Sequence, residues 1–381
     1  MKKQHFHSID ALRFFAFLKV YFLHIPLQGE FPIFSFLKSG GGIGVSFFFV
    51  LSGFLITYLL VLEKSNRNYI NLNRFFIRRA FRIWPLFYLM VLITFLLPYE
   101  LKQNIGFHMV GGGYDFDWKY SFTFLENYKM ILKDQFPKTT PLSVFWSLCI
   151  EEHFYLFWMF SIFLLPIKHI LKYLISCFAL AWLARYFEHQ IFHNEIIVTS
   201  DLFTNLDFFA SGGILGYYVA LHYNRLMSLI QKVRTEIKWF VLLFIVFFII
   251  FQDLILPNEV GSILFIFRSS IIAILFTILI SIFLPEDSSI KIKSKWLSYL
   301  GIRSYGLYVY HIILIHVCFQ YFLNHKILID NWLTLCIFIT LTLGGSIIIS
   351  SISYKYFEMY FLALRNNKKL NKLLVTKSKL R

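Results

Sequence analysis

Apolar residues gather along the chain into ten runs of roughly membrane length, divided by short polar stretches and one long one. The runs lie near 9–27, 42–62, 83–99, 141–165, 170–187, 204–222, 238–256, 261–284, 297–323 and 332–363. A hydrocarbon core about 30 Å thick takes about 20 such residues as a helix. A helix also satisfies its own backbone polar groups where no water can. The pattern predicts an all-α integral membrane protein of about ten transmembrane helices. Residues 1–364 form that single transmembrane domain, and 365–381 a basic cytoplasmic tail, solvated or bound to lipid. No soluble second domain and no repeat of clear period is expected.

Composition strengthens this reading. Apolar residues make up 58% and charged residues 15% of the 381, against about 45–50% and about 25% in soluble domains. The 47 Phe, 22 Tyr and 8 Trp suit lipid-facing helices with aromatic ends. Disordered, collagenous and disulfide-rich secreted chains are excluded. Cys149, Cys177, Cys318 and Cys336 fall inside apolar runs, without paired spacing. The start, Met1-Lys2-Lys3 before an apolar run, looks like a secretory signal. Arg13 and Lys19 interrupt that run and no small-residue cleavage site follows, so a retained first helix is expected.

Ten is even, so both termini share a side. With the N-terminus inside, the inner segments hold 24 Lys and Arg and the outer loops 7, which makes both termini cytoplasmic by the positive-inside rule. The net charge of +16 would point toward nucleic acid in a soluble protein. Here it points to membrane lipids, with no nucleic-acid partner. The long outer loop, about 100–140, carries Gly111-Gly112-Gly113, several Tyr and Trp118. It suits a polar acceptor or a plain cap.

Charges within apolar runs are costly and therefore informative. Arg13 and His24 are eleven residues apart, about 20° past three helical turns, so they share a face about 16 Å apart. A snorkelling arginine and a packing histidine fit that spacing equally well. Thr140-Pro141 suits the start of the fourth helix, which puts Glu151 and Glu152 about 16–18 Å below the outer edge. Adjacent carboxylates cannot face the same way, so one should point into the bundle, as a site or as a structural ion pair. His311 lies about 21 Å into the ninth run. His24, Glu152 and His311 thus reach similar depth from three helices, which favours a site. On the inner side Arg74, Arg78 and Arg82 form one face, with Arg79 beside it, a cluster fit for phosphates or anionic headgroups.

Gly40, Gly41, Gly42 and Gly44 lack the following Lys-Ser/Thr of a phosphate loop. Gly40/Gly44 and Gly212/Gly216 are expected to permit close helix contact. Glu151-Glu152-His153 lacks the spacing of a helical zinc site, and no metal is expected.

In order along the chain, these residues resemble the membrane acyltransferase 3 family, bacterial integral-membrane O-acyltransferases of polysaccharides. Ile9-Asp10-Ala11-Leu12-Arg13 with His24 is similar to its first motif, and Gly44-Val45 through Phe48-Phe49-Val50-Leu51-Ser52-Gly53-Phe54 to its second. Arg78-Arg79-x-x-Arg82-Ile83-x-Pro85, Trp146-Ser147-Leu148 through Glu151-Glu152-His153-Phe154-Tyr155, and Ser304-Tyr305-Gly306 through His311 are similar to the rest. The resemblance implies a bacterial cytoplasmic-membrane enzyme that takes an acyl group from cytoplasmic acyl-CoA, usually acetyl-CoA. The acceptor it implies is a hydroxyl of an extracytoplasmic or lipid-linked glycan. Arg78, Arg79 and Arg82 would hold the CoA phosphates with Arg13 deeper. His24 would remove the hydroxyl proton, Glu152 would orient it, and His311 would assist or touch the acceptor. Direct transfer and a transient acyl-His both stay open.

Some positions depart from the family pattern. Ser46 stands where Asp is frequent, His153 where Gln is common, Asn205 where an Arg often precedes Asp207, and Phe357-Glu358 leads to Met359-Tyr360 without the usual proline. The chain ends after the tenth run, so the esterase-like domain fused in some members is expected to be absent. Two rivals remain. A glycolipid transporter or flippase also uses buried His and Glu, although no inverted repeat supports it. A glycan polymerase or ligase would want its arginines on the outer face.

Overall fold

The computed structural model describes residues 6–40, 42–107, 113–138, 142–192, 195–256, 262–285 and 288–364. Among them the fold is helical throughout, with a single isolated bridge between Tyr114 and Pro137 in place of any sheet. The ten long helices are α1 (His7–Leu23), α2 (Ile43–Arg67), α3 (Leu72–Leu96), α4 (Trp146–Leu164), α5 (Ile167–Phe192), α6 (Leu206–Lys232), α7 (Thr235–Ile255), α8 (Ile263–Ile282), α9 (Ser304–Asn324) and α10 (Trp332–Ser353). Eight of them, all but α1 and α6, are long and apolar enough to cross a membrane by length and composition. α1 and α6 lie in the middle of the bundle, α6 against α2, α5 and α8, and α1 against α2, α9 and the short helix Lys295–Ile302. The fold is that of an all-α, multi-pass membrane protein.

Local sequence sets the ends. Pro26 follows soon after α1 and cannot continue it. Asn68 closes α2 in the left-handed region at φ 60°. The side chains of Asn71, Ser262 and Asn331 cap the starts of α3, α8 and α10. Small residues set the central crossing. A Cβ on Gly53 would run into the Phe209 carbonyl, and one on Gly212 or Gly216 into the carbonyl of Val50 or Phe54. α2 and α6 therefore touch backbone to backbone. Gly44 serves the same purpose against α1, where its Cβ would lie 2.5 Å from the Ala16 oxygen. Gly40 differs from expectation: it is a turn residue with φ +59° beside Gln252.

Four runs are more broken than periodicity suggests. The run 297–323 splits at Arg303, because Lys295–Ile302 lies on α1 with Gly301 pressed on the Asp10 carbonyl. His311 is thus seven residues into α9, about 10 Å, rather than about 21 Å into one long helix. The tenth run passes from α10 through a π-helical turn, Tyr354–Glu358, to Met359–Leu364. α6 extends past 222 with a kink at His222. The fourth helix opens with a 3-10 turn, Leu142–Val144, before α4. Thr140, Pro141, Gly111, Gly112, Gly41, the first five residues and the tail 365–381 lie outside the described residues.

Candidate active site

Within the bundle α1, α2, α3, α4 and α9 line a cavity of about 100 Å³. Its cationic lining is Arg13, Arg79 and Arg82; its other polar groups include Ser52, Glu151, Tyr155, Ser147, Tyr305 and Tyr308. Each is held. Arg13 pairs with Asp10 one turn away at 2.8 Å. Arg79 lies over the Tyr155 ring, 5.2 Å from its centre. The Tyr155 hydroxyl donates to Glu151 Oε2 at 2.8 Å, and Ser52 donates to Glu151 Oε1 at 3.2 Å. Tyr305 donates to the Ile83 carbonyl at 2.8 Å, tying α9 to α3. Arg79 and Arg82, three residues apart, face the cavity together, whereas Arg78 is half-buried and outside its lining.

The histidines lie outside the cavity lining and connect to it through Tyr308. Tyr308 lines the cavity, its hydroxyl bonded to Ser147 Oγ at 2.7 Å and donating to the Val144 carbonyl at 2.9 Å. The Tyr308 backbone carbonyl accepts from His311 Nδ1 at 2.6 Å. His311 is wholly buried, edge-on to Phe17 at 5.7 Å. Its Nε2 faces His24 Nδ1 at 3.4 Å, and that same Nδ1 lies 2.9 Å from the Val20 carbonyl. Carbonyls only accept, so both Nδ1 atoms carry the proton. His311 Nε2 is then an acceptor toward His24, and His24 Nε2 keeps its lone pair. His24 caps α1 instead of sitting within it, which leaves the ring partly exposed while its partner is buried.

The histidines predicted from sequence are thus brought together, and Arg13, Arg79 and Arg82 share a cavity. Glu152 goes elsewhere. It is buried, and its Oε2 accepts from Trp84 Nε1 at 3.0 Å, with Oε1 unpartnered among the described residues. The carboxylate beside the arginines is Glu151. An i, i+4 pairing with Tyr155 was the available signal, but helical spacing alone cannot say which of two adjacent acids turns inward.

A second network sits away from the cavity. Asp207, fully buried at the start of α6, binds Arg185 of α5 and accepts from Ser270 of α8 at 2.6 Å. Arg185 also donates to the Thr204 carbonyl at 3.0 Å. Asn205 bonds backbone carbonyls of Thr199 and Asp201 at 3.0 and 2.7 Å. The cation beside Asp207 therefore comes from another helix, which no motif spacing reveals.

Residues 113–138 of the long loop form a folded cap. Glu126 accepts from Tyr114 and Ser121, both at 2.6 Å; Tyr88 donates to the Phe122 carbonyl at 3.0 Å; Asn127 donates to the Ser200 carbonyl at 2.9 Å. Burial lowers the Lys129 pKa, and burial followed by the charge of Asp201 pushes Tyr128 up to about 12.

Among the described residues no group of His, Cys, Asp and Glu is arranged to hold a metal ion. The acyltransferase 3 family model, described as an acyltransferase domain, matches residues 6–351. The chain is 31% identical over 321 residues to the peptidoglycan O-acetyltransferase OatA of Listeria monocytogenes, covering 80% of this chain and 48% of that one. It is 28% identical over 333 residues to the putative peptidoglycan O-acetyltransferase YrhL of Bacillus subtilis, covering 81% and 49%. A putative O-acetyltransferase of Staphylococcus aureus, SACOL0978, is 28% identical over 377 residues, covering 94% and 58%. The chain thus spans about half the length of the curated relatives it matches. No solved structure matches it.

Proposed function

The chain belongs to the membrane acyltransferase 3 family, and on that footing we propose that it is an O-acetyltransferase of the bacterial cytoplasmic membrane. Its donor is acetyl-CoA on the cytoplasmic side, and its acceptor a hydroxyl of an extracytoplasmic glycan. Peptidoglycan is the acceptor class, by analogy with the names of two relatives. The charge asymmetry of the loops supports ten spans with the arginine end of the cavity inside. Arg79 and Arg82 hold donor phosphates with charge-assisted hydrogen bonds, and Arg13 stands deeper.

The observation that carries this reading is the His24–His311 contact at 3.4 Å. It sets His311 against the His24 ring, whose tautomer, with Nε2 free as a base, follows from the bond of Nδ1 to the Val20 carbonyl. His24 takes the proton of the sugar hydroxyl as its oxygen bonds to the acyl carbon. The carbon–sulfur bond breaks, and the proton passes to the departing CoA sulfur. His311, buried behind His24, holds the ring and stabilises the imidazolium through its Nε2 lone pair.

The test uses sealed, inverted vesicles containing the full chain, with peptidoglycan fragments trapped inside and labelled acetyl-CoA outside. The expected result is label in an alkali-labile ester on lumenal glycan. Intact protein that leaves all lumenal glycan unlabelled overturns the reading.

A further inference from the structure

Lys19 breaks the first apolar run, and neither the motifs nor the mechanism gives it a task. Charge within such a run is costly, so its partners are informative. The Lys19 Nζ donates to the carbonyls of Leu37 and Ser39 at 2.8 and 2.5 Å. Those carbonyls end the short helix Pro32–Lys38, which lies in the connection between His24 and α2. That helix returns the contact. Lys38 Nζ donates to the Ile25 carbonyl at 2.5 Å, and Ile25 follows His24, the cap of α1. The last carbonyls of a helix lack partners within it and carry partial negative charge. An ammonium meets them with up to three N–H donors. Each lysine thus closes the end of the helix that carries the other, and the pair clasps residues 24–39 onto α1.

The connection has other holds, each further from His24 along the chain. Gln28 exchanges two bonds with Ile329, its N–H donating to the Ile329 carbonyl at 3.1 Å and its Oε1 accepting from the Ile329 N–H at 2.9 Å. Phe34 packs edge-on to Phe22 with ring centres 5.5 Å apart, and Ser39 Oγ donates to Asp253 at 2.8 Å. Of these holds, that of Lys38 grips the residue beside the base. We infer that Lys38 is a positioning residue for His24, itself kept in place by Lys19. It fixes the backbone at the end of α1, so that the imidazole stays against His311 with Nε2 turned to the reacting hydroxyl. This rests on the reading of His24 as the base and adds two residues to it. Lys38 touches neither donor nor acceptor. It restrains a helix end that would otherwise fray, and a shift of about 1 Å in a reacting group can cost about a hundredfold in rate.

The experiment is steady-state transfer from labelled acetyl-CoA to lumenal peptidoglycan fragments in inverted vesicles containing the full chain, with a thermal midpoint for each purified protein. The proteins are wild type, Lys38→Met, Lys38→Arg, Lys19→Met, His24→Ala and the His24→Ala/Lys38→Met double variant. Lys38→Met should lower kcat by about ten- to a hundredfold and leave the KM of each substrate within about twofold of wild type. Lys38→Arg keeps a donor at the Ile25 carbonyl and should recover much of the loss. Lys19→Met should lower kcat in the same sense by less. The double variant should be no slower than His24→Ala, because a residue acting through another has nothing left to act on. Wild-type kcat in Lys38→Met, a loss carried by either KM, or losses that multiply in the double variant overturns the positioning role and leaves the base reading standing. If Lys38→Met does not fold, Lys19→Met decides, and wild-type kcat there overturns the clasp. Full turnover in His24→Ala overturns the base reading, and wild-type protein that transfers nothing overturns the donor reading; the task given to Lys38 falls with either.

Discussion

Glu151 and Glu152 are neighbours in sequence with different partners: Glu151 is held by Ser52 and Tyr155 beside the arginines, and Glu152 by Trp84. Only Glu151 faces the cavity. The two acids should therefore fail differently. Glu151→Gln should raise the KM for acetyl-CoA several-fold with a smaller effect on kcat, since it loosens the setting of Arg79. Glu152→Gln should leave that KM near wild type. Steady-state kinetics over a range of acetyl-CoA concentrations checks this, and equal KM changes would count against it.

For the histidines, His24→Ala should lower kcat by about 10²–10⁴ while acetyl-CoA binding persists. His311 is buried behind His24 and reaches the reaction only through it. His311→Ala should therefore lower kcat in the same sense and leave the KM for glycan alone. The double variant should be little worse than His24→Ala, as expected for groups acting as a unit. A rise in glycan KM confined to His311→Ala would give that residue an acceptor contact instead.

Arg78 and Arg79 offer a comparison at constant charge. Arg79→Gln should weaken acetyl-CoA binding about tenfold or more, in line with loss of a charge-assisted contact. Arg78→Gln, outside the cavity lining, should change it by less than about threefold. Calorimetric titration of both variants decides between a directed pocket and a diffuse basic face, which would make the two equal.

The buried pair Arg185–Asp207 predicts a stability effect remote from chemistry. Asp207→Ala strands a buried guanidinium and should cost about 3–5 kcal/mol, read as a large fall in thermal midpoint. Replacing both residues by apolar ones of similar size should recover much of that loss. If the single and double variants are equally unstable, the pair is not the cause.

Asp201, between the short helix Glu195–Ser200 and the 3-10 turn Phe203–Asn205, has its pKa raised from 3.8, chiefly by burial. The folded state thus holds the proton more tightly than the unfolded one. Its contribution is greatest at low pH and is lost as pH rises from the ordinary carboxylate value through the raised folded value. Asp201→Asn should flatten that part of the curve of thermal midpoint against pH. An identical slope in wild type and variant would assign the pH dependence to other groups.

Helical periodicity made a cluster of arginines on α3 legible in the sequence, because Arg78, Arg79 and Arg82 lie within one helix. The meeting of His24 with His311 was readable only as matched depth from separate helices. What stayed hidden depends on how helices face one another. Spacing could not choose Glu151 over Glu152, or drop Arg78 from the cavity while keeping Arg79. The break at Arg303 was hidden for another reason. It follows from Gly301 docking on Asp10, a contact between residues about 290 positions apart in the chain.

The backbone contact between α2 and α6 constrains how the molecule can move. With Gly53, Gly212 and Gly216 pressed on facing carbonyls, sliding either helix by one residue would drive a carbonyl into a side chain. The two helices therefore behave as one stiff post. Any widening of the cavity at Tyr308 has to come from the other walls, among them α3 and α9, which the bond from Tyr305 to Ile83 ties together. Any such movement of α3 carries Arg79 and Arg82 with it, so widening the cavity and resetting its arginines become one event.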